Sequence, residues 1–239
     1  MTKQTDALFN RQAVSQTDKA YGLLEELIVT GELAPGSQWS ETALGERLGI
    51  GRSPIRDALQ KLAFQRLVHI APRQGVFISE IDYQGQLKVI QARRDIEHLI
   101  VTQAALCATQ AERQAMTGLM AELRKLKKNH DMRGYMRLHF ALTDVLGIAS
   151  RNSYAAEFYA ILQTLSRRFL YFHKKRHADL TLICDLHVDQ LKAIVKGSPE
   201  AAQQAAAARN DYAESLARDT IMEMIASSEL QVSTPRRPR

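Results

Sequence analysis

Arg52, Ser53, Arg56 and Gln60 sit close together in GRSPIRDALQKLAF, and all four carry hydrogen-bond donors. A guanidinium can bind guanine O6 and N7 through two hydrogen bonds, and glutamine can do the same for adenine. Between them Ile55, Ala58, Leu59, Leu62 and Ala63 recur at the spacing of one helical face, which leaves the donors on the solvent side, toward the N-terminal half of the helix. Recognition helices contact base edges from that half. Downstream, Ala71-Pro72-Arg73-Gln74-Gly75 reads as a basic hairpin tip between Leu67-Val68-His69-Ile70 and Val76-Phe77-Ile78, able to lie along a phosphate backbone or reach a minor groove. With Glu41 and Thr42 upstream, the candidate DNA contacts are Glu41, Thr42, Arg52, Ser53, Arg56, Gln60, Arg73, Gln74 and Gly75.

The elements that must position these residues follow from local signals. Ser40 caps a first short helix and Glu41 puts negative charge on its positive end; Leu44 and Leu48 share its inner face. Gly49-Ile50-Gly51 breaks it, and Ser53 as cap with Pro54 at the first helical position opens the second. Another helix, about Lys19 to Thr30, precedes this pair, with Leu23, Leu24, Leu27 and Ile28 inward and Gly31 as its stop. Trp39 is expected to pack beside the core. Together these predict a winged helix-turn-helix over residues 19–80: three helices and a β-hairpin wing. The competing reading is a pair of amphipathic helices with merely solvated arginines, against which the hairpin adds a third donor-bearing element.

Past the wing, helical patterning continues. About six helices are predicted, at 83–108, 112–129, 132–149, 153–176, 180–196 and 199–226, forming an all-α bundle over residues 81–226. Residues 1–18 read as a mobile arm and 227–239 as a disordered basic tail. The fold class is therefore mainly α. Of 239 residues 45% are hydrophobic and 24% charged, which suits a globular chain. No apolar run is long enough to span a bilayer and no secretory signal opens the sequence, so a cytoplasmic location is expected. Cys107 and Cys184 read as buried thiols of a reducing compartment. The net charge of +6 suits a polyanion partner, but Glu25, Glu26 and Glu32 offset much of the basic excess near the candidate face, so the local motif is the stronger argument.

GELAPGSQWSETALGERLGIGRSPIRDALQKLAFQRLVHIAPRQGVFIS resembles the DNA-binding domain of GntR-family bacterial transcription regulators. The matching features are G-x-L-x-P-G, the S-E helix start, L-G-I-x-R-S-P-I-R-D-A-L and P-R-x-G in the wing. The helical part is similar, more loosely, to the FCD effector-binding domain of the FadR-like branch, through Gln91 to Glu97, Ala149 to Asn152 and His187 to Ile194. This resemblance implies a homodimer on double-stranded operator DNA, probing two half-sites, and a helical domain that binds a small effector, a carboxylate-bearing metabolite. Most family members are repressors released by ligand.

Many FCD domains hold a metal on an Asp and three His. The corresponding positions here are His139, Thr143, His187 and either Arg209 or Asn210, so zinc or nickel at His139 and His187 is weighed against a pocket that binds its effector directly. Effector candidates are Arg93, His139, Thr143, His187 and Asn210, with Arg93 gripping a carboxylate; the alternative for Arg93 or Arg94 is a surface ion pair. His173 and His177 read either as a second metal pair or as the basic last turn of a helix. Two rival functions remain. A metal-dependent enzyme would draw on His139, His187 and Asp144, but no G-x-S-x-G, H-E-x-x-H or phosphate-binding glycine loop appears. The other is a helical protein-interaction module.

Overall fold

The computed structural model describes residues 15–173 and 178–232. In chain order the elements are α1 (Gln16–Val29), β1 (Gln38–Trp39), α2 (Glu41–Leu48), α3 (Arg52–Phe64), β2 (Val68–Ala71), β3 (Gly75–Ile78), α4 (Tyr83–Cys107), α5 (Gln110–Asn129), α6 (Met132–Ala149), α7 (Ser153–His173), α8 (Leu180–Lys196) and α9 (Pro199–Val232). The three-plus-six helix plan predicted from the sequence is the one found among the described residues.

The N-terminal domain closes around Leu24, Ile28, Leu44, Ile55, Leu59 and Leu62, each contributing about 1.5–3 kcal/mol by leaving water. Ser40 caps α2 by accepting from Ala43 N, and Gly49 ends it in the left-handed conformation at φ +64°. Three local expectations need correction. Helix α3 begins at Arg52 with Gly51 as its cap residue and no side-chain cap bond, so Ser53 is not the cap and Pro54 falls within the first turn, where a missing N–H still costs nothing. Helix α1 begins at Gln16, with Ser15 accepting from Asp18 N, so the arm does not extend to residue 18; residues 1–14 lie outside the described chain. The wing is not a lone hairpin: Gln38–Trp39 pairs with Phe77 and Val76, making a three-stranded antiparallel sheet of order β1-β3-β2.

In the bundle, α4 touches α6, α7, α8 and α9 and is the central helix. Thr109 and Glu112 form a reciprocal capping box at the start of α5, which moves that start two residues earlier than predicted. Backbone helix continues in α9 to Val232, so the predicted disordered tail does not begin at Ser227; residues 233–239 lie outside the described chain. Cys184 is buried but Cys107, at the end of α4, is exposed, contrary to expectation. Among the described residues no helix is long and apolar enough to cross a membrane.

Candidate nucleic-acid interface and ligand cavity

Helix α3 presents Arg52, Ser53, Arg56 and Gln60 on its exposed side, and Thr42 on α2 is exposed as well. Arg52 Nε and Arg56 Nη2 each lie 3.0 Å from Glu41 Oε2. Glu41, at the first turn of α2, thus holds two guanidiniums side by side. Hydrogen bonds from Arg56, helped by Arg52, keep its carboxyl below the usual range. The two arginine side chains stay 68% and 53% exposed, against 22% for Glu41. Such surface pairs are weak, so a phosphate or base edge can take over either arginine.

At the wing tip, Gln74 N donates to Ala71 O at 3.1 Å, with Pro72 first and Arg73 second in the turn. Arg73 adopts φ +64°, a conformation uncommon outside glycine and asparagine. Arg73 and Gln74 are exposed; Gln74 O also accepts from Gln38 Nε2 at 2.6 Å. Gly75 has φ +111°, and a Cβ there would stand 2.6 Å from Trp39 O. Its glycine is demanded by the approach of β1. Trp39 packs against the domain core, with the Arg47 guanidinium 5.5 Å from its ring centroid.

Three carboxylates of the N-terminal domain face away from this surface, toward the bundle. Glu25 pairs with Arg167 at 2.8 Å, Glu32 with Arg133 at 2.7 Å and Glu26 with Arg137 at 3.7 Å. Glu32 also pairs with Arg47 of α2 at 3.5 Å, but none of the three bonds Arg52 or Arg56.

The bundle holds a partly open cavity of about 50 Å³ lined by residues including Arg93, Tyr135, His139, Arg167, His187 and Arg209. Its polar wall is organised by Glu97, fully buried on α4. Glu97 Oε1 accepts from Gln190 Nε2 at 2.7 Å, from Tyr159 at 3.4 Å and from Arg209; Oε2 accepts from Asn210 Nδ2 at 2.9 Å. Asn210 Oδ1 in turn accepts from Arg93 Nε at 2.8 Å. Burial would raise the Glu97 carboxyl, but Arg209, Arg93 and these hydrogen bonds outweigh it and hold the carboxyl low. Burial and the positive Arg209 lower Arg93 to about 10, so it remains charged at neutral pH.

Arg93 therefore faces the cavity, while Arg94 makes the surface pairs, to Asp211 at 2.7 Å and Glu214 at 3.1 Å. His139 and His187 stand with ring centroids 5.2 Å apart, and His187 Nε2 shares a hydrogen bond with Tyr135 Oη at 2.9 Å. Burial drives both imidazoles well below their ordinary pKa, and Arg209 and Arg93 push the same way. Thr143 bonds to His139 O at 3.0 Å but lines a different, larger cavity of about 540 Å³ between α6 and α7. Asn210 is buried behind the first cavity, where it orients Arg93 and Glu97, and of the two residues weighed for this position it is Arg209 that lines the wall.

This donor set does not fit zinc or nickel. Among the described residues no group of three or more His, Cys, Asp or Glu could hold a metal ion, and guanidiniums beside the two imidazoles repel a cation. His173 lies against Tyr83 and Phe169, at centroid distances of 5.4 and 4.6 Å; His177 lies outside the described residues. Sequence reasoning missed Glu97 behind the cavity wall and Tyr135, Ser166 and Arg167 on it. Only the i, i+4 spacing of Arg93 and Glu97 on one helix could have flagged the first.

Residues 16–78 match the pattern described as bacterial regulatory proteins, gntR family, and residues 88–211 match the FCD domain. The HTH-type transcriptional regulator YieP of Escherichia coli (strain K12) is 24% identical over 218 residues, covering 82% of this chain and 94% of that protein. The HTH-type transcriptional repressor RspR of the same strain is 31% identical over 112 residues, 47% of this chain and 48% of RspR. A Streptomyces ambofaciens HTH-type regulator from an unstable DNA locus is 37% identical over 79 residues, 33% of this chain and 31% of its own length. The chain thus spans half or less of those last two relatives. Among solved structures, E. coli McbR/YncC superposes with a TM-score of 0.75 at 19% identity, covering 87% of this chain and 99% of that one. A GntR regulator from Rhodococcus sp. RHA1 gives 0.67 at 20%, covering 85% and 97%. These likenesses show the fold, and with the FCD match covering more than half the residues, the chain belongs to the GntR family of bacterial regulatory proteins, in the group that carries an FCD domain.

Proposed function

We propose that the protein is a homodimeric, sequence-specific DNA-binding transcription regulator that represses its target, and that a small carboxylate entering the bundle cavity modulates operator binding without a metal. One observation carries the DNA-binding part. Arg52 and Arg56 project from the first turns of α3, tethered to Glu41 and largely open to solvent. A helix presenting two forks this way can enter a major groove, while Arg73 and Gln74 reach the flanking backbone.

Further observations support the rest. RspR is named a repressor. Phe140, Ile148, Tyr154 and Phe158 are exposed on α6 and α7, an apolar face suited to a second copy. The cavity wall is cationic, which favours an anion held directly by guanidinium. Fluorescence anisotropy with labelled duplexes tests the central reading. Wild-type affinity should fall steeply with salt, and Arg52→Ala with Arg56→Ala should abolish preference for the operator over random duplex. Equal binding by wild type and the double variant, at every salt concentration, would refute it.

A further inference from the structure

Arg167 belongs to two places at once. It lines the ligand cavity, yet its Nη2 donates across the domain junction to Glu25 Oε1 on α1 at 2.8 Å. Both side chains are about 95% buried. Glu25 Oε1 also accepts from Thr164 Oγ1 at 2.6 Å. Among the described residues Arg167 Nη1 reaches Met136 O, at 3.3 Å, and Nε has no hydrogen-bond partner.

The cavity is short of acceptors elsewhere too. Among the described residues Arg93 Nη2, Arg209 Nε and Ser166 Oγ are buried without hydrogen-bond partners, and all three residues line the same space. Unpaired buried donors are costly, so these groups await an acceptor. Formal charge says which kind. Arg93, Arg167 and Arg209 are countered by Glu97 and Glu25, and the two histidines are neutral, leaving one positive charge uncompensated beside the cavity. At roughly 10–15 Å³ per water, a cavity of about 50 Å³ admits on the order of three to five non-hydrogen atoms.

We propose that the cavity takes one small monocarboxylate, and that its carboxylate competes with Glu25 for the Arg167 guanidinium, so that binding loosens the contact between the winged domain and the bundle. This rests on reading the FCD domain as an effector domain. Once Arg167 turns to the ligand, Glu25 keeps only Thr164, and a carboxylate stripped of its countercharge must regain water. It does so by separating α1 from α7. The ligand thereby frees the winged domains, which changes the spacing a dimer can offer to two half-sites.

Calorimetric titration of the full chain with acetate, propionate, lactate, succinate, inorganic phosphate and nitrate tests this, on wild type and on Arg93→Gln, Glu25→Gln and Thr164→Val. Expected are binding of at least one monocarboxylate, at least tenfold weaker binding of succinate, phosphate and nitrate, and loss of binding in Arg93→Gln. Removing the competitor in Glu25→Gln should tighten binding about tenfold; Thr164→Val, which leaves Glu25 more dependent on Arg167, should weaken it severalfold. Saturating ligand should also raise amide hydrogen exchange in α1 of the wild type. That measurement and Thr164→Val decide the matter if Glu25→Gln does not fold. Binding that needs Arg93 but is indifferent to Glu25 and Thr164, with unchanged exchange in α1, overturns the competition while leaving the effector reading intact. No carboxylate binding in any form overturns both, and succinate or an inorganic anion binding as tightly as the best monocarboxylate overturns the monocarboxylate assignment.

Discussion

Replacing Glu97 by glutamine removes one negative charge and one acceptor from the centre of the bundle. The volume barely changes, so any effect is electrostatic. Glu97 Oε1 gathers Arg209, Gln190 and Tyr159, and Oε2 takes Asn210 Nδ2. A glutamine amide keeps one oxygen and turns an N–H pair toward either the guanidinium or Asn210. Asn210 cannot flip to oblige, because its Oδ1 accepts from Arg93 Nε and its Nδ2 also donates to Ala206 O. The mismatch therefore travels to Arg93, and two guanidiniums lose their shared countercharge. Breaking a buried ion pair from one side costs about 3–5 kcal/mol, and for a chain of this size each kcal/mol lowers Tm by about 2–4 °C. A drop of roughly 6–20 °C is expected in the far-ultraviolet circular dichroism melt. Trp39 is the only tryptophan and sits in the winged domain, so its fluorescence reports that domain separately. A loss under about 1 kcal/mol, with unchanged urea m-value, would be the cost of a surface pair and would refute the claim that Glu97 organises the cavity.

Histidine titration gives a second expectation. Below about pH 6.5 the unfolded chain takes up protons on His139 and His187 that the folded chain, with both pKa values depressed, refuses. Stability should fall as pH drops from 6.5 toward 5, by up to about 1.4 kcal/mol per unit for each histidine, and His187→Gln should halve the slope measured by urea unfolding; an unaltered slope would count against buried neutral imidazoles. Glu41→Gln should release Arg52 and Arg56, tightening random-duplex binding severalfold and steepening the log Kd against log salt plot by up to about 0.9 per arginine that reaches a phosphate; identical slopes would show that the Glu41 pairs do not restrain them. Gly75→Ala must hold a side chain at φ +111° against Trp39 O, and should cost the winged domain about 1–3 kcal/mol from the backbone conformation alone, read from Trp39 fluorescence; a variant as stable as wild type would mean the turn relaxes.

The winged domain was legible because its signals are local. Ser40, Gly49 and the Leu44-to-Leu62 periodicity act over one or two helical turns, and the structure places each where its chemistry requires. Strand β1 escaped because two residues carry no alternation; only pairing with β3 defines it. The start of α3 moved because Gly51 adopts the extended cap conformation, φ −61° and ψ 157°, without a side-chain bond, leaving Ser53 to solvent. The cavity was legible mainly through Arg93, His139 and His187. Its organising groups are joined across the chain: Arg209 to Glu97 over 112 residues and Arg167 to Glu25 over 142. No periodicity reaches that far.

Charge balance, too, depends on contacts distant in the chain. Counted by neighbourhood in the sequence, Glu25, Glu26 and Glu32 belong to the winged domain and dilute its basic face. In the fold they meet Arg167, Arg137 and Arg133 of the bundle, with Glu32 also reaching Arg47 of α2 at 3.5 Å, so they mainly hold the junction, while Glu41 is the carboxylate bonded to both α3 arginines. The carboxylate that restrains the α3 arginines and the pairs that fix the domains to each other are thus different groups. A small acid reaching Arg167 can therefore disturb the junction without touching a single DNA-facing side chain, which is what a regulator needs if its ligand is to change operator binding from inside the bundle.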